Sequence, residues 1–274
     1  MARRICIINQ KGGVAKTTTT VNLGIGLAME GKKVLIIDLD PQGNISSCIN
    51  ADSKKDMFDL LIENADPGEC IVRVNDNLDV IKSKETLTKA EFILMGEQAR
   101  ETVLRNKLSR IPGYDYILVD CPPSLGLLNQ NAMLFANEAI IPVSTDILGV
   151  DGMKKMIMAI DKINEVFGHT CTVTKIVPTL YDKRNKVCKQ ALSKLQSEYY
   201  ELVSDPIHMN SKLKEAPSVK QSIYEYAKTS SGARDYHALV KHVIRDEEKY
   251  ANLDRNPMAP KASNGKISIK EAVI

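Results

Sequence analysis

The 274-residue chain has no Cys-x-x-Cys pair, no apolar run near the length of a membrane span, and almost no surplus charge. Each absence removes a class of function. The six cysteines, at 6, 48, 70, 121, 171 and 188, lack metal-ligand spacing, and Cys6, Cys121 and Cys171 fall in stretches that read as strands. Small buried thiols in a reducing compartment are therefore expected, not a zinc site. A bilayer-spanning helix needs about 20 apolar residues, and no stretch approaches that. Ile5 to Ile8 ends at polar Asn9 and is too short for the core of a secretory leader. With 37 basic and 34 acidic residues the net charge is +3, so any nucleic-acid surface has to be a local patch.

What is present is enough apolar content, 43%, for one large core. One α/β domain over residues 1–250 is expected, with 251–274 as a flexible tail. Asn9-Gln10-Lys11-Gly12-Gly13-Val14-Ala15-Lys16-Thr17-Thr18 lies between the apolar run Ile5 to Ile8 and a helix-like segment beginning near Lys16. Strand, glycine turn and helix start form a phosphate cradle. The glycines let the backbone curl with its N–H groups inward, and the helix presents its positive end to an anion. Lys16 is placed to meet the β- and γ-phosphates of a nucleotide, and the Thr17 hydroxyl to hold Mg²⁺. A glycine turn before an ordinary helix is the bland alternative; the Lys-Thr pair and the later carboxylates weigh against it.

Val34 to Ile37 is a continuous apolar run, as expected of a parallel strand covered on both faces. It ends in Asp38, Asp40, Pro41, Gln42 and Gly43, carboxylates at the edge where such sheets bind ligands. Tyr116 to Val119 is a second such run and ends in Asp120. Strands are expected also at Leu78–Ile81, Ala139–Val143 and Val173–Val177. Residues 52 to 76 read as irregular surface with one short amphipathic piece, Met57 to Ile62. Apolar positions from Ala90 to Leu108 recur at helical spacing, which predicts one long amphipathic helix with its Met and Phe in the core. A helix is predicted from about Val150 to Phe167, opened by Thr145, Asp146 and Gly149. Strands alternating with helices predict a doubly wound, mostly parallel sheet flanked by helices.

The segments NQKGGVAKTTTTVNLG, VLIIDLDPQGN, YILVDCPPSLG and KLKEAPS together resemble the ParA/MinD family of P-loop ATPases, whose loop is the deviant Walker A pattern KGGxxK[ST]. They are most similar to its ParA (Soj) branch, and the likeness runs from about Arg3 to about Val243. The resemblance implies ATP and Mg²⁺ as cofactors. It implies an ATP contact from each of Lys11, Gly12, Gly13, Val14, Ala15, Lys16, Thr17 and Thr18, and base contacts near Met209 and Asn210. Thr17, Asp38 and Asp120 would serve the metal, Asp40 would orient the attacking water, and Lys16 would act on the transferred phosphate. Lys11 would reach across to a second subunit's phosphates in an ATP-bound homodimer. Non-specific DNA would be held by Lys212, Lys214, Lys220 and Arg234, and a ParB-like partner would stimulate slow hydrolysis, in a cytoplasmic, nucleoid-associated protein. Family members usually carry glycine where this chain has Ala15, so a Cβ there is expected either to crowd the phosphates or to strain a left-handed backbone. The Met209 position is often an arginine in relatives.

Two other readings remain open from the residues. A MinD-like membrane ATPase would need an amphipathic C-terminal helix, against which stand Pro257, Pro260 and Asn264-Gly265. A metabolic P-loop enzyme would need a second substrate pocket.

Overall fold

Short, continuous apolar runs become the strands β1 (Arg3–Ile7), β2 (Val34–Asp38), β3 (Ile71–Asn75), β4 (Leu78–Ile81), β5 (Tyr116–Asp120), β6 (Glu138–Ser144) and β7 (Thr172–Thr179). The computed structural model describes residues 2–250 apart from 52 and 110; the tail expected over 251–274 lies outside the described residues. The sheet runs in the order β3-β4-β2-β5-β1-β6-β7. Every neighbouring pair is parallel except the edge pair β3 and β4. The expected doubly wound α/β architecture is therefore present.

Between the strands lie α1 (Lys16–Met29), α2 (Asn44–Cys48), α3 (Met57–Leu61), α4 (Pro67–Cys70), α5 (Leu87–Leu94) and α6 (Val103–Lys107). The second half adds α7 (Leu127–Phe135), α8 (Ile147–Phe167), α9 (Lys186–Tyr199), α10 (Ser211–Glu215), α11 (Ile223–Tyr226), α12 (Ser231–Arg245) and α13 (Glu247–Tyr250). Alternation along the inner strands divides the core into two layers. Ile5, Ile7, Val34 and Ile36 pack with Leu23 and Leu27 of α1 and Leu239 of α12. Cys6, Ile8, Leu35 and Ile37 pack with residues of α3, α5, α7 and α8 on the other face. Each fully buried side chain of this kind contributes about 1.5–3 kcal/mol. The phosphate-loop helix is seated closely: a Cβ at Gly24 would meet Ile36 Cδ1 at 2.6 Å.

Three sequence expectations are corrected. Residues 52 to 76 are not merely irregular surface: they hold α3, α4 and β3, with Met57, Leu60 and Cys70 fully buried. The long helix expected from Ala90 to Leu108 is broken after Leu94, resuming as a 3₁₀ turn over Arg100–Thr102 and then α6. Ala99 sits in the left-handed region (φ 54), and the Asn131 side chain accepts the Leu104 N–H and donates to the Arg100 carbonyl, so tertiary hydrogen bonds fix a corner where periodicity implied a straight rod. Phe92 and Met95 face outward, at 69% and 52% exposure, instead of into the core. Cys121 and Cys171 lie just outside β5 and β7, not within them. All six cysteines are free and buried, as expected.

The helix expected from Val150 begins at Ile147, where the Asp146 carboxylate accepts the Gly149 N–H. The parallel register also sets the site. Asp38 and Asp120 are paired across β2 and β5, and Asp120 is paired with Ile7 of β1, whose exit leads into the glycine loop.

Candidate nucleotide-binding site

At the carboxyl edge of β1, β2 and β5 the chain leaves a cleft of about 400 Å³, within the range that holds a small ligand. Its floor is the loop read from the sequence. Gly12, Gly13, Ala15, Lys16, Thr17 and Thr18 all line it, and Asp40 faces it from the end of β2. Val14 does not line the cleft; its side chain is buried at 1% exposure beneath the loop, because the turn has to anchor itself in the core. Ala15 adopts φ 68 and ψ 34 as the residue that caps α1, so of the two outcomes expected there the left-handed backbone is the one found. An alanine in that region costs about 1–2 kcal/mol relative to its preferred conformation.

Lys16 is only 7% exposed, and its Nζ reaches the Lys11 carbonyl at 3.4 Å. Burial lowers its pKa, opposed by the Asp120 and Asp40 carboxylates. Thr17 donates to Asp120 at 2.7 Å and Thr20 donates to the other oxygen of the same carboxylate at 2.9 Å. Desolvation pushes Asp120 up to about 6, although these two hydroxyls and Lys16 oppose it. Asp38, fully buried, is raised well above the carboxylate range by burial first and then by Asp120 beside it. Its oxygens accept the N–H groups of Asp40, at 3.0 Å, and of Ile45, at 3.3 Å. The loop from 38 to 45 is thus wound around the Asp38 carboxylate.

Two buried carboxylates beside a threonine hydroxyl are a donor set suited to a hard divalent cation. Among the described residues no group of three or more His, Cys, Asp or Glu side chains could hold a metal. Mg²⁺ is normally held by few protein oxygens together with phosphates and water.

The raised Asp120 pKa has a consequence in the ligand-free protein. Its folded value, about 6, lies above its ordinary 3.8, so the folded state binds the proton more tightly. Its contribution to stability is complete below pH 3.8 and is lost as pH rises through about 6. Between about pH 7 and pH 5 the parent chain should gain about 1 kcal/mol relative to an Asp120→Asn variant. Denaturant unfolding of both at each pH measures this; parallel pH profiles would contradict it.

Lys11 does not line the cleft. Its ammonium turns to the β6–α8 corner, where it donates to Ser144 Oγ and to both Asp146 oxygens, all at 3.0 Å. Burial acts to raise the Asp146 carboxyl, but hydrogen bonds from Ser144, Lys11 and the Gly149 N–H hold it below its ordinary value.

The far wall comes from segments that the sequence marked only loosely. Met209 and Asn210 line the cleft, joined by Leu180, Ile207, His208, Leu213 and Tyr236. Asp235 receives both the backbone N–H and Nδ1 of His208, at 2.8 and 3.0 Å. Tyr236 is fully buried and meets the Thr19 hydroxyl at 3.2 Å, tying α12 to α1. No sequence signal singled out Asp235.

The four basic residues expected to meet DNA are all exposed. Lys214 lines the cleft rim. Lys212 is paired with Glu215 at 2.7 Å and lies over the Tyr226 ring. Lys220 follows the 3₁₀ turn Ala216–Val219, and Arg234, in α12, donates to the Thr229 carbonyl. Of the tyrosines interleaved with them, Tyr224 and Tyr236 are core residues.

Comparison with known proteins agrees with this geometry. The profile of the AAA domain family matches residues 2–173. The chain is 34% identical to the chromosome-partitioning ATPase Soj of Treponema pallidum, covering 91% of this chain and 100% of that one. It is 36% identical to the sporulation initiation inhibitor protein Soj of Bacillus subtilis, covering 89% and 98%. Among solved structures it is similar to a cobyrinic acid a,c-diamide synthase from Mycobacterium smegmatis with bound ATP analogue and magnesium (TM-score 0.77, 28% identity, covering 90% and 96%). It is also similar to the septum site-determining protein MinD of Pyrococcus horikoshii with Mg-ADP (TM-score 0.74, 26% identity, covering 89% and 96%). With the loop, the paired carboxylates and relatives aligned over nearly their whole length, the chain belongs to the Soj/ParA family of partitioning ATPases.

Proposed function

We propose that this ATPase is a DNA-partitioning switch in which Mg·ATP drives dimerisation, the dimer binds DNA non-specifically, and hydrolysis stimulated by a ParB-like partner resets it. The observation that carries this reading is the arrangement of the two loop lysines: Lys16 lies in the cleft and Lys11 is held out of it by Ser144 and Asp146. A lysine outside its own cleft is available to a second subunit's phosphates once the Asp146 pair opens.

Within one subunit, the loop N–H groups and the α1 N-terminus receive the phosphates, and Lys16 neutralises their charge. Thr17 and Asp120, with Asp38 behind them, would hold Mg²⁺, which would supply positive charge to stabilise the terminal phosphates. Asp40 would orient the water in line with the γ-phosphate. The wall formed by Leu180, His208, Met209, Asn210 and Leu213 would take the base.

For DNA, Lys212, Lys214, Lys220 and Arg234 would make phosphate contacts, doubled in a dimer. Among the described residues no helix is long and apolar enough to cross a membrane. The association is tested by co-sedimentation of the protein with DNA in the presence of ATP, ADP or no nucleotide. Binding is expected only with ATP, and it should weaken on the order of 10⁴-fold between about 50 and 200 mM salt if the dimer makes about eight phosphate contacts. Lys11→Ala should keep ATP affinity in the monomer and lose both the ATP-dependent dimer, read by light scattering, and the DNA pellet. DNA binding in no nucleotide state would move the reading to a metabolic ATP-dependent enzyme.

A further inference from the structure

Val14 and Ala15 share the peptide on which the left-handed turn depends, and the Val14 carbonyl is held from outside the loop. Thr179, the last residue of β7 and fully buried, donates its hydroxyl to that carbonyl at 3.1 Å. Thr179 is itself fixed. Its carbonyl accepts the Thr145 N–H at 3.1 Å and the Thr145 hydroxyl at 3.2 Å, and it is paired in register with Ser144. A residue that never touches the cleft thus connects the phosphate loop to the corner that holds Lys11.

Positive φ at an alanine is relieved most simply by flipping the preceding peptide, which exchanges a left-handed Ala15 for one with negative φ. Such a flip would swing the Val14 carbonyl off Thr179. It would also reverse the Ala15 N–H, which the trans peptide now aims away from β7. Among the described residues the Thr179 hydroxyl is the one hydrogen-bond donor to the Val14 carbonyl, and Val14 itself is buried. Leaving it unpaired is costly.

We propose that Thr179 is a positioning residue for the nucleotide: its hydroxyl latches the Val14–Ala15 peptide and so maintains the anion-binding form of a loop in which alanine occupies a left-handed position. The inference rests on the reading of the cleft as the ATP site. It also specifies where the latch matters. A glycine at position 15 would hold the turn without strain, so the dependence on Thr179 should weaken there.

The test is a double-substitution cycle between positions 15 and 179, read as affinity for a fluorescent N-methylanthraniloyl-ATP, with thermal melting of each ligand-free chain alongside. Thr179→Val, which keeps the shape and removes the donor, should weaken binding about tenfold or more in the parent. In the Ala15→Gly background the same substitution should weaken it less than about threefold, the difference being the coupling between the two sites. Thr179→Ser keeps the hydroxyl and should bind as the parent does. If the valine variant fails to melt cooperatively, Thr179→Ala takes its place in the cycle. Equal weakening in both backgrounds, or equal loss in the serine and valine variants, would show Thr179 to be only a packing residue and would overturn the inference. A parent chain that binds no ATP analogue would overturn the nucleotide-site reading and this inference with it, whereas ATP binding without coupling would sink the latch alone.

Discussion

Lys16→Ala is expected to abolish ATP binding while leaving a folded chain. The lysine is 7% exposed and sits among Asp40 and Asp120, the carboxylates that oppose the lowering of its pKa. In the ligand-free protein its ammonium has the Lys11 carbonyl as a long hydrogen-bond partner, so a phosphate oxygen would replace a weak contact with a charge-assisted one. Removing the ammonium takes away that attraction and leaves the cleft's carboxylates facing an anionic ligand. Truncating one partner of a buried charged contact costs about 2–5 kcal/mol. Affinity should therefore fall by about thirtyfold to several thousandfold, one factor of ten for each 1.4 kcal/mol. Isothermal titration with Mg·ATP measures it. An unchanged dissociation constant would remove Lys16 from the phosphate site and with it the account of the cleft. The Thr17 and Thr20 hydroxyls remain to hold Asp120 in the variant, so melting should still be cooperative.

The parts of the site that were legible in the sequence are those whose chemistry lies within one short stretch. Glycines 12 and 13, Lys16 and Thr17 are read from their spacing, and the loop does line the cleft. Asp38 and Asp120 were marked as strand-end carboxylates, and the parallel register sets them side by side. The strand runs were legible for a related reason: a strand buried on both faces has to be apolar at every position. What was not legible depends on pairs far apart in the chain. Asp146 announced itself only as a helix opener, yet it also receives Lys11 from 135 residues away. Asp235 looks like any surface acid of an amphipathic helix until His208 is found on it. The corner after Leu94 was hidden because helical periodicity continues through it, while the hydrogen bonds that stabilise the bend come from Asn131. Tertiary contacts outweigh local preference in such places.

Asp40→Asn is expected to stop turnover while sparing ATP binding, and the pair of variants Asn and Ala distinguishes chemistry from loop structure. Asp40 is 6% exposed and lines the cleft. One of its oxygens accepts the Gln42 N–H at 3.0 Å, and its backbone carbonyl accepts the Gly43 N–H at 2.9 Å and the Ser83 hydroxyl. The carboxylate therefore has a structural duty and a chemical one. An asparagine oxygen can still accept from Gln42, so Asp40→Asn retains the turn and loses only the negative charge and the capacity to take a proton. Loss of a positioned general base lowers rate by about 10²–10⁴-fold, so single-turnover hydrolysis should fall by that factor while the dissociation constant for ATP stays within about threefold. Asp40→Ala should lose the same rate and, in addition, melt at a lower temperature, because the Gln42 N–H loses its acceptor. Since hydrolysis is the proposed reset, the asparagine variant should also remain sedimented with DNA after ATP is withdrawn, where the parent is released. Parental turnover by Asp40→Asn would assign the residue to the turn alone and require another group to orient the water.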